Sequence, residues 1–213
     1  PNTRRMVVRA TLVCRLAEMK TYSQLLQDRF ALLCCGDKPG VYADIGAGEP
    51  ELISNTVLLE RDYGWTGLLC DIEHQERLRA ERTGVVFGDA LEVDWDKELS
   101  AIARDGWIDF LSLDLEPPNL TIAILLRLPL HKIRFRCACV EHDYYRDEQG
   151  ITRATIVHEV MASHGYRKVF TMKMFCNNEP KSIYLEDWWV DKASDVTEQD
   201  VKDMIDSCVE VAS

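Results

Sequence analysis

The chain has 213 residues, 46% of them hydrophobic and 29% charged, which suits one domain with short decorations. That composition excludes a disordered tail, a collagen-like repeat and a small disulfide scaffold. Asp and Glu number 36 against 25 Lys and Arg, a net charge of −11, so the surface as a whole repels phosphate backbones and non-specific nucleic-acid binding is not expected.

Residues 1–35 read as a helical extension, with Leu16, Met19, Leu25, Leu26 and Phe30 near helical spacing. Its apolar part, Met6 to Ala17, is broken by Arg9 and Arg15 and is too short and too charged to cross a membrane or to form a signal core. Pro1 in place of an initiator Met points to processing, trimming or excision from a longer chain. Gly36 to Gly40 is a turn. From there to residue 191, short apolar runs alternate with amphipathic segments. The expected strands are Val41–Ile45, Gly67–Ile72, Val85–Phe87, Ile108–Leu113 and Phe135–Val140. The expected helices between and after them are Glu51–Asp62, His74–Arg82, Lys97–Ala103, Leu120–Leu128 and Thr152–His164. Strands this brief, alternating with helices, predict an α/β fold: a mostly parallel sheet with helices on both faces. Tyr166–Met174 and Lys181–Leu185 come soon after and predict a late antiparallel hairpin. Residues 192–213 form a tail with a polar helix at Glu198–Val211. The Trp188–Trp189 pair ahead of it is read as exposed, with packing on the hairpin favoured over an acceptor pocket or a subunit contact.

Eight cysteines (Cys14, Cys34, Cys35, Cys70, Cys137, Cys139, Cys176 and Cys208) form no CxxC pair, and several lie in apolar stretches. They are expected to be reduced and mostly buried, which points to the cytosol.

The segment from Val41 to Glu49 carries the most information. A strand ends at Asp44, and Gly46 and Gly48 lead through Ala47 towards a helix. Glycines there let backbone approach a ligand, and a helix start presents free N–H groups. The same residues also suit an ordinary tight turn. Asp44 before the first glycine fits a cationic or amine-bearing ligand better than a pyrophosphate, and Glu51 beside Pro50 replaces the third glycine of a dinucleotide fingerprint. Asp71, with Ile72, ends the second strand where an acid binds ribose hydroxyls in such folds. Asp89, with Ala90, ends the third on the same rim and suits an adenine amino group, although both acids also suit helix or turn caps.

Asp114 and Glu116 close the fourth run, two residues apart and on one face if the strand continues through them. Glu141, His142 and Asp143 close the fifth. A carboxylate pair facing a Glu–His pair suits acid–base work or a hard metal ion. The plainer alternatives are polar strand ends, a satisfied rim histidine and a Glu141 pair with Arg134 or Arg136. His74, His131, His158 and His164 have no ligand-like spacing.

These residues fall in an order that resembles the FkbM-type family of S-adenosylmethionine-dependent methyltransferases. Ser23-Gln24 with Gln27-Asp28 is similar to its opening motif, and Asp44-Ile45-Gly46-Ala47 to its cofactor turn. Ser54-Asn55-Thr56 with Leu59-Glu60 resembles the family's helix after that turn, and Gly64-Trp65 leading to Asp71 resembles its second strand. Ile108-Asp109-Phe110 through Asp114 and Glu116, Val140-Glu141-His142, Gly165-Tyr166 and Asp187-Trp188 continue the series, so the likeness spans residues 21–191. Two departures stand out. Glu116-Pro117-Pro118 replaces the family's Glu-Gly, and Asp71 stands where the family often carries Glu.

The resemblance implies a Rossmann-like class I methyltransferase with S-adenosylmethionine held by Asp44, Gly46, Ala47, Gly48, Asp71, Ile72, Asp89, Ala90 and Asp114, and with Gln24 or Gln27 closing over it. On the acceptor side it implies Asp114, Glu116, Glu141 and His142. His142 would act as base, or Asp114, Glu141 and His142 would hold Mg²⁺ and lower the acceptor's pKa; the residues leave both open. The implied reaction is O-methylation of a sugar, glycan or other small hydroxylated metabolite, with no membrane partner. A nicotinamide oxidoreductase fits less well because the third glycine is missing. A catalytically inactive S-adenosylmethionine-binding scaffold is the reading the double proline keeps open. A nucleic-acid acceptor has only Lys132, Arg134 and Arg136 in its favour, a cluster more typical of a solvated strand edge.

Overall fold

The computed structural model describes residues 11–175 and 182–212; the expectations for residues 1–10, Cys176 and Lys181 lie outside them. Residues 11–17 are helical (α1). The chain continues through α2 (Gln27–Cys35), β1 (Val41–Ile45), α3 (Val57–Tyr63), β2 (Thr66–Cys70), α4 (Gln75–Glu81), β3 (Val85–Phe87) and α5 (Trp95–Ile102). Then come β4 (Trp107–Leu113), α6 (Pro118–Leu125), β5 (Arg134–Glu141), α7 (Gly150–Ser163), β6 (Tyr166–Phe175), β7 (Ser182–Asp191) and α8 (Glu198–Ala212).

The strands form one seven-stranded sheet in the order β3-β2-β1-β4-β5-β7-β6. The first five are parallel, and the β6–β7 hairpin joins antiparallel through β7 against β5. This is the Rossmann-like α/β architecture expected. Alternation along each strand sorts side chains between two cores. Tyr42, Phe110, Cys137, Cys139 and Trp188 lie on one face with Phe30 of α2 and Val201 and Met204 of α8. Ala43, Leu111, Phe135, Ala138 and Trp189 lie on the other with Leu99 of α5, Ile122 of α6 and Val157 and Met161 of α7. Trp188 and Trp189 are thus both buried, one on each face, because they are neighbours on a central strand. This corrects their reading as exposed.

The expected single helix over residues 1–35 is also corrected, since residues 18–26 are not helical. The Asp28 carboxylate accepts from the hydroxyls of Thr21 and Ser23 and from the backbone N–H of Tyr22, so it satisfies a folded-back loop instead of a helical turn. Leu26 takes a left-handed φ of 70° just before α2. The helix expected from Glu51 starts only at Val57, because the buried Ser54 hydroxyl accepts from the Val57 N–H and Ile53 bridges to Ser23 in the 18–26 loop. Of the cysteines described, Cys70, Cys137, Cys139 and Cys208 are buried, Cys34 and Cys35 partly so, and Cys14 is exposed; all are free thiols. No described helix is long and apolar enough to cross a membrane.

Candidate cofactor and active site

Strand order reverses between β1 and β4, so the crevice beyond their carboxyl ends is where such a sheet receives ligands. The chain leaves β1 into it through Gly46 and Gly48, at φ of 88° and 62°. Gly46 and Ala47 donate their N–H groups to the Cys70 carbonyl at the end of β2, at 2.8 and 3.1 Å. Gly48 donates to Asp71 Oδ2 at 2.9 Å. A Cβ on Gly46 would stand 1.5 Å from the Asp114 carbonyl oxygen, whereas one on Gly48 would meet nothing within 4 Å. The first glycine lets β4 close against the turn, and the second leaves backbone open to the crevice. Ala47 packs its methyl into the core below.

Asp44 lies beneath this turn, 1% exposed. Its Oδ2 accepts from Thr56 Oγ1 at 2.6 Å, and its Oδ1 has no hydrogen-bond partner. Burial pushes its pKa up to about 6, against the lowering pull of Thr56 and Arg82. Asp44 Oδ2 thus ties the turn to the start of α3 through Thr56, while Oδ1 is left without a partner inside the protein. Arg82, with a fully buried side chain, anchors the same support: it pairs with Glu60 and donates to the Pro50 carbonyl, Ser54 Oγ and Thr56 Oγ1.

Asp71 fills the cap-like role foreseen for it and also reaches the glycine turn. Its Oδ1 accepts from the N–H groups of Glu73 and His74, the cap-like role, while Oδ2 reaches across to Gly48. The Asp71 side chain is 14% exposed. Beyond it lies a cavity of about 660 Å³ whose lining includes Ile72, Phe87, Gly88 and Asp89. Ile72 is 62% exposed and forms an apolar wall there. Asp89 Oδ1 accepts from the Leu91 N–H, whereas Ala90 is buried in the core and turns away from the cavity.

On the other side of the switch point, Asp114 and Glu141 extend from the ends of β4 and β5 and hydrogen-bond to one another. Burial raises both pKa values, and the Asp114 carboxylate adds to the rise at Glu141, which is pushed up to about 12. The pair therefore shares a proton at neutral pH. Glu186 of β7 sits opposite Glu141 in the β5–β7 register and belongs to the same buried group. Its Oε1 accepts from Gln27 Nε2 at 2.9 Å and Trp188 Nε1 at 2.7 Å, and burial pushes its pKa up to about 8. Gln27 is thereby occupied inside the protein, while Gln24 is exposed on the loop before α2.

Three expectations for the acceptor side are corrected. β4 ends at Leu113, so Glu116 does not share a strand face with Asp114; it is exposed and paired with Arg146, which also binds Asp143. Arg134 and Arg136 pair with Asp191 and Asp109, not with Glu141. Asp114, Glu141 and His142 do not converge. Glu141 and His142 are consecutive, so they leave the strand on opposite faces, and His142 turns towards α7 and β7. Among the described residues no group of three or more His, Cys, Asp or Glu side chains is arranged to hold a metal ion. The residues named for Mg²⁺ do not fit one.

His142 is 2% exposed; its Nε2 lies 3.7 Å from Asp187 Oδ1, and its Nδ1 has no partner. It lines a second cavity, of about 470 Å³, with Tyr144, Ile151, His158, Lys168 and Tyr184. Sequence reasoning gave no site role to Glu186 or Asp187. Both acids sit inside an apolar strand beside two tryptophans, and that was the available signal, since a central strand does not bury carboxylates without partners.

No family model matches the chain, and no curated protein matches it. Solved structures with a similar chain trace include magnesium protoporphyrin IX methyltransferase from Synechocystis PCC 6803 with bound S-adenosylmethionine, 13% identical, TM-score 0.48, covering 83% of this chain and 88% of that one. A second is the Burkholderia thailandensis 1,6-didemethyltoxoflavin-N1-methyltransferase with bound S-adenosylhomocysteine, 14% identical, TM-score 0.46, covering 90% of each chain. A third is an rRNA methylase from Streptococcus thermophilus, 14% identical, TM-score 0.45, covering 81% of this chain and 98% of that one.

Proposed function

We propose that the chain is an S-adenosylmethionine-dependent methyltransferase acting on a hydroxyl of a sugar, glycan or other small hydroxylated metabolite. The observation that carries this reading is the turn at the switch point. Gly46 is locked under Asp114, and Gly48 is open to the crevice and held by Asp71. The ordered likeness of residues 21–191 to the FkbM-type family supports the same cofactor.

The residues present fit the donor. Backbone at Gly46 to Gly48 would hold its amino-acid portion, the Asp71 carboxylate would accept from a ribose hydroxyl, and Ile72, Phe87 and Asp89 would border the adenine. A sulfonium donor held there supplies an activated methyl group. The protein's part is then to aim an acceptor oxygen in line with that group and to receive its proton. Asp114, at the end of β4 beside the turn and paired with Glu141, is the carboxylate suited to the proton. The same buried carboxylate acts strongly on charge in the crevice, because the surrounding dielectric is low.

Calorimetry with S-adenosylhomocysteine, S-adenosylmethionine and NAD tests the cofactor: binding of the first two and not of NAD is expected, and binding of NAD alone defeats the reading. Transfer of tritiated methyl to a panel of sugars and hydroxylated metabolites tests the reaction. Cofactor binding without transfer to any acceptor returns the chain to the scaffold reading.

A further inference from the structure

A cavity of about 350 Å³ lies at the amino-terminal ends of β1, β4 and β5, the far end of those strands from the glycine turn. Lys38, Arg104 and Arg136 line it, and Asp109 is the acidic side chain among its lining residues. Asp109 is fully engaged: its Oδ1 accepts from Arg136 Nε at 2.9 Å and its Oδ2 from the Val41 N–H at 2.8 Å. Arg136 is thereby fixed, with its guanidinium 5.1 Å over the Trp107 ring and its side chain 53% exposed. Its Nη1 and Nη2 have no partner among the described residues. The turn from Arg104 to Trp107 is closed by two backbone hydrogen bonds of 2.9 and 3.0 Å, which set Arg104 at the same edge. Arg104 Nη1 donates to the Pro39 carbonyl at 3.3 Å, and its Nε and Nη2 are unused among the described residues. Lys38 Nζ has no partner there either. Lys38 and Arg104 are exposed, so these donors are open to solvent.

The charges do not cancel. Asp109 meets Arg136, and Lys38 and Arg104 are left over, in a chain whose net charge is −11. Asp37, next to Lys38, is taken by Arg15 at 3.0 Å, and Asp105 does not line the cavity. α2 and α5 end shortly before Lys38 and Arg104, which places cations after helix carboxyl ends. Each such end carries only about half a negative charge, so the two ends do not offset two full cations. The remaining polar groups of the wall do not compete: the Cys35 thiol donates to the Asp109 carbonyl at 3.6 Å, and Trp65 Nε1 is buried out of reach. The Trp107 ring already carries Arg136 and, at 6.0 Å, Arg134, so the part of a ligand recognised here is its anionic group. Guanidinium forks match phosphate and carboxylate oxygens. Two uncompensated cations favour the dianion, a phosphate, over a single carboxylate.

We propose that this cavity binds a phosphate group, free or as the monoester of a small molecule, through Lys38, Arg104 and the Nη atoms of Arg136. The site is independent of the methyltransferase reading, since it lies at the other end of the strands from the crevice.

The test is calorimetric titration of the intact chain, at constant ionic strength, with inorganic phosphate, glucose 6-phosphate, glucose and chloride. Saturable binding of the two phosphates is expected, with none of glucose or chloride. Tighter binding of glucose 6-phosphate assigns the site to a monoester, and tighter binding of inorganic phosphate assigns it to the free ion. Arg104→Gln and Lys38→Gln should each weaken phosphate at least about tenfold. Lys38 has no partner to lose, so its variant should keep the wild-type circular dichroism spectrum. Lys132→Gln makes the same change in net charge outside the cavity, where Lys132 pairs with Asp96, and should leave phosphate affinity unchanged. No saturation at millimolar concentrations of either phosphate overturns the proposal, as does equal binding of glucose or chloride. An equal loss in Lys132→Gln overturns it as well, because the effect is then one of overall charge. So does a lowered thermal midpoint in Arg104→Gln and Lys38→Gln with phosphate affinity unchanged, because the cations then serve only the helix ends.

Discussion

Gly46 lies so close to the end of β4 that a Cβ on it would stand 1.5 Å from the carbonyl oxygen of Asp114, while two residues on, a Cβ on Gly48 would enter open space. The two glycines of one turn therefore have different reasons to be glycine. Gly46→Ala forces backbone apart and keeps a positive φ, and should cost more than about 3 kcal/mol or prevent folding. Gly48→Ala should cost only about 1 kcal/mol, from its positive φ. It should nevertheless weaken S-adenosylhomocysteine at least about tenfold by occupying the opened backbone. Urea denaturation and calorimetry on the two variants read the contrast.

Asp71 accepts three backbone N–H groups, one of them from Gly48. Asp71→Asn presents an amide N–H to at least one of these donors and should cost about 1–3 kcal/mol. Asp71→Ala should weaken the cofactor further, by freeing Gly48 as well as removing the ribose acceptor. Thermal midpoints with and without S-adenosylhomocysteine should show the ligand-induced rise shrinking from wild type to Asn to Ala.

Arg82 and Glu60 form an ion pair with side chains 0% and 6% exposed, and the same guanidinium holds Thr56 against Asp44. Arg82→Met leaves Glu60 and Asp44 buried without their cation and should destabilise by about 3–5 kcal/mol. Adding Glu60→Gln should recover part of that loss, because the uncompensated charge is then gone. Denaturant midpoints of the single and double variants measure the recovery.

Glu186 has its pKa pushed up to about 8 by burial, above its unfolded value, so between the two the native state binds more protons than the unfolded one. Stability from this group is greatest at low pH and is lost as pH rises, levelling off above about 8. Asp44, pushed up to about 6, acts with the same sign over a lower window. Between pH 5 and 8 the wild type should lose on the order of 2–4 kcal/mol through Glu186. Glu186→Gln keeps an oxygen for Gln27 and Trp188 and should flatten that part of the profile. A Gln variant with an unchanged slope refutes the assignment.

The element order was legible because it rests on local signals. Val41–Ile45 and Val85–Phe87 match the expected strands residue for residue, and the other strands of the parallel part differ by one or two residues at an end. The helices after Glu51 and before Gly36 were misread where side chains, Asp28 and Ser54, take over backbone donors that a periodic pattern assigns to a helix. The glycine turn and the acids after β1, β2 and β4 were legible for a related reason: strand ends are marked in the sequence, and a parallel sheet brings its carboxyl ends to one rim.

Which way each side chain on that rim points was a tertiary decision. Glu141 and His142 are adjacent in sequence, yet strand alternation sends one to Asp114 and the other to Asp187, so a three-residue metal constellation became two separate pairs. Glu186 and Asp187 joined those pairs only because β7 runs back antiparallel beside β5, a contact spanning more than forty residues with no periodicity to announce it. Sequence alone specified the strands, the glycine turn and the acids that end β1, β2 and β4. The pairing of β5 with β7 decided which carboxylates share a proton and which imidazole nitrogen is left bare, because burial and neighbours, not residue type, set the state of an ionisable group.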